Sequence, residues 1–148
     1  MNHQEIRFSI LHYLYNKHYG KELGHHHNVE DIITKTRLKN IDRDLIYGDI
    51  VYLKDKGLVD GVISIGDTYP THIMITAYGI DVVDNISNEI VQNLKNSIEN
   101  QQEINPIINE SNQKTKTEKV WEYVKANPAF FTSYVEKILR ICLGSGSG

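Results

Sequence analysis

Hydrophobic residues recur at helical spacing from the start of the chain. Ile6, Ile10 and Leu14 stand four residues apart, behind Asn2, a residue type that caps helices well. This pattern predicts a first helix with a broad apolar face. The segment 20–24, which begins and ends with glycine, is predicted to end it.

Two further helices are predicted before residue 58. Asn28 caps a short helix that ends near Thr36, and Asp42 caps a longer one. The buried stripe of the longer helix is predicted to be Ile46, Ile50 and Leu53. Gly57 stands where a residue with left-handed backbone closes a helix. Gly48, in mid-helix, is predicted to allow close packing against another helix, and close approach to a ligand backbone is the alternative.

Period-two alternation replaces helical spacing between residues 62 and 76. Ile73 and Ile75 alternate with other residue types after the turn-forming segment 66–70, which predicts a β-hairpin. Helical spacing then resumes, with an aliphatic residue every fourth position from Val82, and predicts a long helix over residues 81–98.

The rest of the chain changes character twice. Residues 99–117 are rich in Asn, Gln, Lys and Thr and predict a linker or exposed loop. Residues 118–143 predict a C-terminal helical segment in which Asn127 and Pro128 fit the cap and first helical position. Residues 144–148, GSGSG, have the composition of a flexible tail, as expression cloning often adds. The first domain is predicted to end at residue 80.

Composition and charge bound the class of protein. Among 148 residues, 40% are hydrophobic and 24% are charged, which is ordinary for a globular domain. The N-terminus lacks a signal-peptide layout, no run approaches a membrane span, and the one cysteine cannot form an internal disulfide, so we expect a cytoplasmic protein. Net charge is −3, with six Lys and Arg against four Asp and Glu in residues 1–40 but four against nine in residues 41–98.

The predicted order of three helices, a hairpin and a longer helix resembles a winged helix-turn-helix. IDRDLIYGDIVYLKDKGLVDG resembles the end of a recognition helix that runs into a wing. ITAYGIDVVD is similar to the wing exit of the MarR and PadR groups of regulators, where a strand, a Thr and a Gly lead into the next helix. The resemblance covers roughly residues 5–95. It implies an α+β, mainly α fold: a winged helix-turn-helix followed by long C-terminal helices.

The same resemblance implies a transcriptional regulator that binds double-stranded DNA as a dimer, with its third helix in the major groove. The residues expected to contact DNA are Lys35, Arg37, Lys39, Arg43, Tyr47 and Tyr69. For the three that precede the third helix, an ordinary solvated turn is the alternative. For Tyr69, packing within the turn is the alternative.

Two features depart from the family pattern and favour another function. The wing has no Lys or Arg from Gly61 to Thr76, and the third helix contains four aspartates, Asp42, Asp44, Asp49 and Asp55. Both features weaken attraction to phosphate. The alternative is a winged-helix module for protein contact, such as an adaptor, and an RNA-binding winged helix is a third interpretation.

The long helix and the C-terminal segment contain more apolar positions than a domain of 80 residues needs. They are predicted to form a homodimer through Ile86, Ile90, Leu94, Phe131, Val135 and Ile138. The alternative is that these helices fold back and cover the core of their own chain.

Other candidate chemistry is sparse. His25, His26 and His27 follow His18 and could ligate a metal, but a polar loop between helices is the favoured interpretation, and no metal site is predicted. Cys142 lies on an apolar helix face and is expected to be a small core residue. Without a recognisable catalytic or phosphate-binding motif, the sequence predicts neither an enzyme nor a cofactor.

Overall fold

The computed structural model of the chain describes residues 1–19, 25–96 and 101–144. Within these residues the chain is mainly helical, with one three-stranded antiparallel sheet. It divides into two compact units. Unit 1 contains Met1–Asp81 and the chain end from Leu143, and unit 2 contains Val82–Cys142. No helix in the described part of the chain is both long and apolar enough to cross a membrane.

Unit 1 contains the helices and strands that the sequence predicts, together with one further strand. In chain order its elements are α1 (His3–His18), β1 (His27–Asn28), α2 (Val29–Thr34), a 3₁₀ turn (Arg37–Asn40), α3 (Arg43–Asp55), β2 (Val59–Val62) and β3 (His72–Ile75), and α4 (Ala77–Lys95) begins in it. The predicted end of α1 at segment 20–24 lies outside the described residues.

Side chains cap the starts of the helices as predicted. Asn2 Oδ1 accepts a hydrogen bond from the backbone N–H of Glu5 at 2.9 Å, and the Glu5 carboxylate accepts from the N–H of Asn2. Asn28 and Asp42 accept similarly at the starts of α2 and α3. These acceptors satisfy N–H groups that lack partners inside the helix, so local chemistry fixes where each helix begins.

The end of α3 and the start of α4 are hydrogen-bonded to each other. Gly57 has φ 76°, and the Leu58 N–H bonds back to the Leu53 carbonyl at 2.9 Å, which closes α3 in a Schellman motif. Thr76 Oγ1 donates to the Gly57 carbonyl at 2.6 Å and accepts from the Gly79 N–H at 3.0 Å. A Cβ at Gly79 would lie 2.2 Å from the Leu58 carbonyl oxygen. The end of α3 and the start of α4, the two segments on which the family resemblance depends, therefore contact each other.

The sheet has strand order β1-β3-β2, and both pairs are antiparallel. The predicted hairpin forms, with Val59 paired with Ile75 and Gly61 with Ile73, but its first strand ends at Val62, where the predicted alternation begins. Ile73 and Ile75 are buried, in agreement with the predicted alternation. Strand β1 was not predicted from the sequence, because a strand of two residues is too short to leave a period-two pattern.

The core of unit 1 lies between α1, α3 and the sheet. The predicted stripe of α3, Ile46, Ile50 and Leu53, is at most 1% exposed. Ile6, Ile10 and Leu14 of α1 are buried to the same degree. Each such side chain contributes roughly 1.5–3 kcal/mol of transfer free energy when it leaves water, which makes this face of α3 the one that fixes its orientation.

An ion pair is buried beside this core. Arg7 Nε lies 2.8 Å from Asp49 Oδ1, and the two side chains are 1% and 2% exposed. Asp49 also accepts from His3 Nδ1 at 2.9 Å. The Arg7 guanidinium lies 3.5 Å from the centre of the Tyr52 ring, and its Nη1 donates to the Leu143 carbonyl at 2.6 Å. Asp49 is therefore not a charge on the outer face of α3.

Unit 2 is helical in its described residues. It contains most of α4, then α5 (Gln101–Ile108), α6 (Gln113–Ala126), α7 (Pro128–Phe130), a π-helical turn (Phe131–Val135) and all but the last residue of α8 (Glu136–Leu143). The prediction of a linker or loop over residues 99–117 is wrong where α5 and α6 form. Polar composition concealed Ile104 and Ile107, which stand three apart and are both buried.

Hydrogen bonds join α4 to α6 inside unit 2. Trp121 Nε1 donates to Ser87 Oγ at 3.3 Å, and Ser87 Oγ donates to the Val83 carbonyl at 2.9 Å. Thr117 Oγ1 donates to Asp84 Oδ1 at 3.4 Å. Ser87 and Thr117 are fully buried, so these bonds satisfy polar atoms within an apolar core.

Candidate nucleic-acid interface

Three cationic side chains lie together in sequence immediately before α3. Lys35, Arg37 and Lys39 are all exposed, and the last two lie on the 3₁₀ turn. The turn forms because Thr36 Oγ1 accepts from the Leu38 N–H at 3.2 Å and because the Leu38 side chain is fully buried. One buried residue thus anchors the turn, and its basic side chains face solvent.

The outer face of α3 is open. Asp44, Leu45 and Gly48 are exposed, Leu45 to 46%. An ideal Cβ built on Gly48 would meet no heavy atom of the described residues within 4 Å. The prediction that Gly48 allows close helix packing is therefore wrong, because the glycine faces away from the core. The alternative, close approach of a ligand backbone, remains a prediction.

Two predicted DNA contacts on α3 are bound by one carboxylate of α2. Arg43 Nη2 lies 3.2 Å from Glu30 Oε2, and both side chains are about half exposed, at 42% and 52%. The Tyr47 hydroxyl donates to Glu30 Oε1 at 3.3 Å. Glu30 was not predicted from the sequence, since it lies 13 residues before Arg43 in the chain and only the tertiary structure brings the two side chains together.

Tyr47 also contacts the hairpin. Its ring centre lies 5.3 Å from that of Tyr69, with the planes inclined by 32°. Tyr69 is 38% exposed, so it packs on α3 and still faces solvent. Partial burial, and then the charge of Glu30, raise the pKa of the Tyr47 hydroxyl above its usual value. At neutral pH Tyr47 is therefore a hydrogen-bond donor.

The charge near α3 differs from the count in the sequence. Asp49 is buried and paired with Arg7, so its charge does not act on the outer face. Asp42 and Asp44 are exposed at the start of α3, where the helix dipole favours acidic groups. The cationic turn therefore faces less negative charge than four aspartates in one helix would suggest.

The loop of the hairpin, residues 63–71, is apolar rather than cationic. Ile65 is fully exposed, and Ile63 and the adjacent Val62 are each about half exposed. The loop contains no Lys or Arg, and its one acidic residue is Asp67. Its surface therefore offers hydrophobic contacts and a negative charge, and no cation for a phosphate.

The predicted dimerisation residues are largely buried within the single chain. Ile86, Ile90, Leu94, Val135 and Ile138 are at most 9% exposed, and Phe131 is half-buried. A partner molecule cannot contact the five buried side chains unless the chain opens. All six residues lie in unit 2, so their burial describes the core of that unit, and both dimerisation and its alternative stay predictions.

The histidines do not converge. His25 and His26 are exposed, His27 pairs with Ile73 in the sheet, and the rings of His18 and Tyr19 lie edge to face. In residues 1–19, 25–96 and 101–144, no group of three or more His, Cys, Asp or Glu side chains is placed to bind a metal ion.

Of the six DNA-contact residues predicted from the sequence, the structure brings together three. Arg43 and Tyr47 contact Glu30, and Tyr69 packs against Tyr47. The three basic residues precede α3 in sequence. A scan against protein-family models and searches of curated proteins and of solved structures give no match to this chain.

Proposed function

We propose that residues 1–80 form a winged helix-turn-helix and that the protein is a transcriptional regulator that binds double-stranded DNA. In this proposal α2, the 3₁₀ turn and α3 are the helix-turn-helix, and the β2–β3 hairpin is the wing. The order of these elements and the strand order β1-β3-β2 support the assignment. So does the contact of Thr76 and Gly79 with the end of α3.

The observation that carries the proposal is the exposed cationic turn next to the open face of α3. Lys35, Arg37 and Lys39 are free to neutralise backbone phosphates, and each phosphate neutralised releases counterions. These contacts position a protein on the duplex and do not read sequence.

Sequence readout is assigned to α3. Arg43 can bond guanine or a phosphate, and Tyr47 a base edge or a phosphate. Gly48 supports this assignment because the absence of a side chain in the middle of the exposed face permits close approach of a DNA backbone. The burial of Asp49 supports it as well, because that charge is neutralised by Arg7 and does not repel phosphate.

The experiment is a salt titration of binding to duplex DNA. With four cationic contacts in each copy of the chain, log K should fall against log salt with a slope of roughly −3 to −4 for each copy bound, between about 50 and 200 mM. Lys35→Ala, Arg37→Ala and Lys39→Ala should each reduce that slope by about one. Lys125→Ala is the charge-matched control, because Lys125 is exposed on α6 in unit 2. Equal effects of all four substitutions, or no binding at the lowest salt, would contradict the proposal.

The proposal includes a homodimer, since two copies related by a two-fold axis double the number of phosphate contacts and match a palindromic site. The interface must then use residues other than the five buried aliphatic residues of α4, the π-helical turn and α8. Sedimentation of the full chain at micromolar concentration, with and without a palindromic duplex, measures the oligomeric state. A monomer under both conditions would remove dimerisation from the proposal and leave DNA binding to be judged by the salt titration.

A second candidate function, contact with another protein, is favoured by the hairpin loop. Ile65 is fully exposed beside half-exposed Ile63, and exposed aliphatic groups next to an acidic residue suit a protein surface better than a phosphate backbone. The salt titration separates the two functions. Ile65→Ser should leave duplex affinity unchanged under the first proposal, and a protein that fails to bind duplex at low salt would favour the second.

A further inference from the structure

Glu30 is bound to both of the α3 side chains that the proposed function assigns to DNA. Its Oε2 pairs with Arg43 Nη2 at 3.2 Å, and its Oε1 accepts from the Tyr47 hydroxyl at 3.3 Å. Glu30 is the second residue of α2 and is half exposed, so solvent and a ligand can compete with it. One carboxylate thus uses both oxygens to bind a guanidinium and a phenol that project from a different helix.

A phosphodiester presents the same chemistry as this carboxylate. Both groups are monoanions with two terminal oxygens that accept hydrogen bonds from a guanidinium or a hydroxyl. The Nη2 of Arg43 and the hydroxyl of Tyr47 cannot serve a carboxylate and a phosphate fully at once. The Tyr47 ring is kept in place by Tyr69, so its hydroxyl remains directed at the shared acceptor position.

We propose that Glu30 occupies the position of a DNA phosphate in the free protein, binding Arg43 and Tyr47 until a phosphate of the duplex displaces it. The proposal rests on the proposed function and adds that Glu30 sets the affinity of the site. To bind, a DNA phosphate must break the exposed ion pair between Glu30 and Arg43 and must then lie near the released carboxylate. Glu30 therefore weakens non-specific binding. A duplex that makes additional base contacts overcomes the same cost.

Glu30→Gln is the test, because it removes the charge and keeps the size of the side chain. We expect duplex affinity at low salt to rise about two- to fivefold, the range that an exposed ion pair supports. We also expect the salt slope to become steeper by up to about one, since Arg43 then gains a phosphate without losing a partner.

Asp31→Asn is the matched control. It removes one negative charge from the neighbouring position of α2, yet in the described part of the chain the bonds of Arg43 and Tyr47 go to Glu30 and not to Asp31. In an Arg43→Ala background, Glu30→Gln should lose most of its gain, because the competition it relieves is for Arg43. A gain that Asp31→Asn reproduces, or that survives Arg43→Ala in full, would overturn the proposal.

A second measurement needs no DNA. The carboxylate contributes to the raised pKa of Tyr47, so Glu30→Gln should lower that pKa toward its usual value and Asp31→Asn should change it less. Carbon-13 NMR of the ring carbon that bears the Tyr47 hydroxyl reports the titration, and the loss of its signal in Tyr47→Phe assigns it. An unchanged pKa would mean that Glu30 does not bind Tyr47 in solution and would also overturn the proposal.

The outcomes distinguish this proposal from the function on which it rests. If the wild-type protein binds duplex and Glu30→Gln behaves like Asp31→Asn, only the role of Glu30 fails. If Glu30→Gln binds more weakly than wild type, Glu30 orients the contacts instead of competing for them, and the proposal fails while DNA binding stands. If no variant binds duplex at about 50 mM salt, the proposed function fails and the role of Glu30 fails with it.

Discussion

Arg7 and Asp49 lie 42 residues apart in the chain and meet as a buried ion pair, with Arg7 Nε 2.8 Å from Asp49 Oδ1. The pair joins α1 to the inner side of α3. It is accompanied by further hydrogen bonds, from His3 to Asp49 and from Arg7 to the Leu143 carbonyl. Because both charges are removed from water, their mutual attraction and these bonds must offset a large desolvation cost.

Removal of one partner of this pair should destabilise unit 1 strongly. Asp49→Ala would remove the carboxylate that lies 2.8 Å from Arg7 Nε in a buried ion pair, and we expect a loss of about 3–5 kcal/mol in the free energy of unfolding. Urea denaturation followed by circular dichroism measures this. The double variant Arg7→Met, Asp49→Leu should lose less than Asp49→Leu alone, since it removes both charges of the pair. Additive losses in the double variant would show that the two charges do not stabilise each other.

Two glycines in helices should respond in opposite directions to replacement by alanine. Gly79→Ala places a Cβ 2.2 Å from the Leu58 carbonyl oxygen and 2.7 Å from Ile75 Cγ1, so backbone must shift and we expect a loss of about 1–3 kcal/mol. Gly48→Ala meets open space in mid-helix and should stabilise the protein by about 0.5–1 kcal/mol through helix propensity. Thermal unfolding of both variants compares them directly, and equal effects would rule out the contact at Gly79.

The thiol of Cys142 should react slowly at neutral pH. Partial burial, and then the negative charge of Glu89, raise the pKa of the Cys142 thiol above its usual value. Because the thiolate is the nucleophile, alkylation by iodoacetamide should be slower than that of free cysteine at pH 7 and should accelerate at higher pH. Glu89→Gln should shift this profile to lower pH. Cys142→Ser removes the only cysteine in the sequence and provides the blank. An apparent thiol pKa, from the pH dependence of alkylation, at or below that of free cysteine would contradict the prediction.

Ser87 should stabilise unit 2 through its buried hydroxyl. Ser87→Ala removes an acceptor for Trp121 Nε1 and a donor to the Val83 carbonyl, and we expect a loss of about 1 kcal/mol, with up to about 3 if either group finds no other partner. Ser133→Ala, at an exposed position, should change stability by less than about 0.5 kcal/mol. Trp121 is the single tryptophan, so its fluorescence during urea unfolding reports this region. Equal effects of the two substitutions would show that the hydroxyl of Ser87 is dispensable.

Local chemistry made much of unit 1 predictable. Asn2, Asn28 and Asp42 begin helices because each side chain accepts from an N–H a few residues ahead, and Gly57 ends α3 because it adopts positive φ. The spacing of Ile46, Ile50 and Leu53 identified the buried face of α3 for a similar reason, since helical geometry alone places them together. The same reasoning failed at α5, where Ile104 and Ile107 were too few to stand out from polar neighbours.

The candidate site was predictable in part. Lys35, Arg37 and Lys39 alternate with other residues within five positions of the sequence, and Leu38 is the buried residue among them. Glu30 was not predictable as a partner of Arg43 and Tyr47, because an acidic residue in the first turn of a helix is already explained by the helix dipole. The outward position of Gly48 follows from the helical spacing of Ile46, Ile50 and Leu53, whereas the close helix packing expected at that glycine is absent from the described part of the chain.

The sequence by itself determined where α1, α2 and α3 begin, where α3 ends, the presence of the hairpin, the buried stripe of α3 and the cationic turn, because each depends on residues within a few positions of one another. Only the tertiary structure decided that Asp49 is buried against Arg7 and that Glu30 binds Arg43 and Tyr47. It also decided that Ile86, Ile90 and Leu94 of α4 and Ile138 of α8 are covered within one chain. These relationships join residues that are far apart in the chain, and a charge or an aliphatic side chain looks the same in a sequence whether its partner is water or another helix.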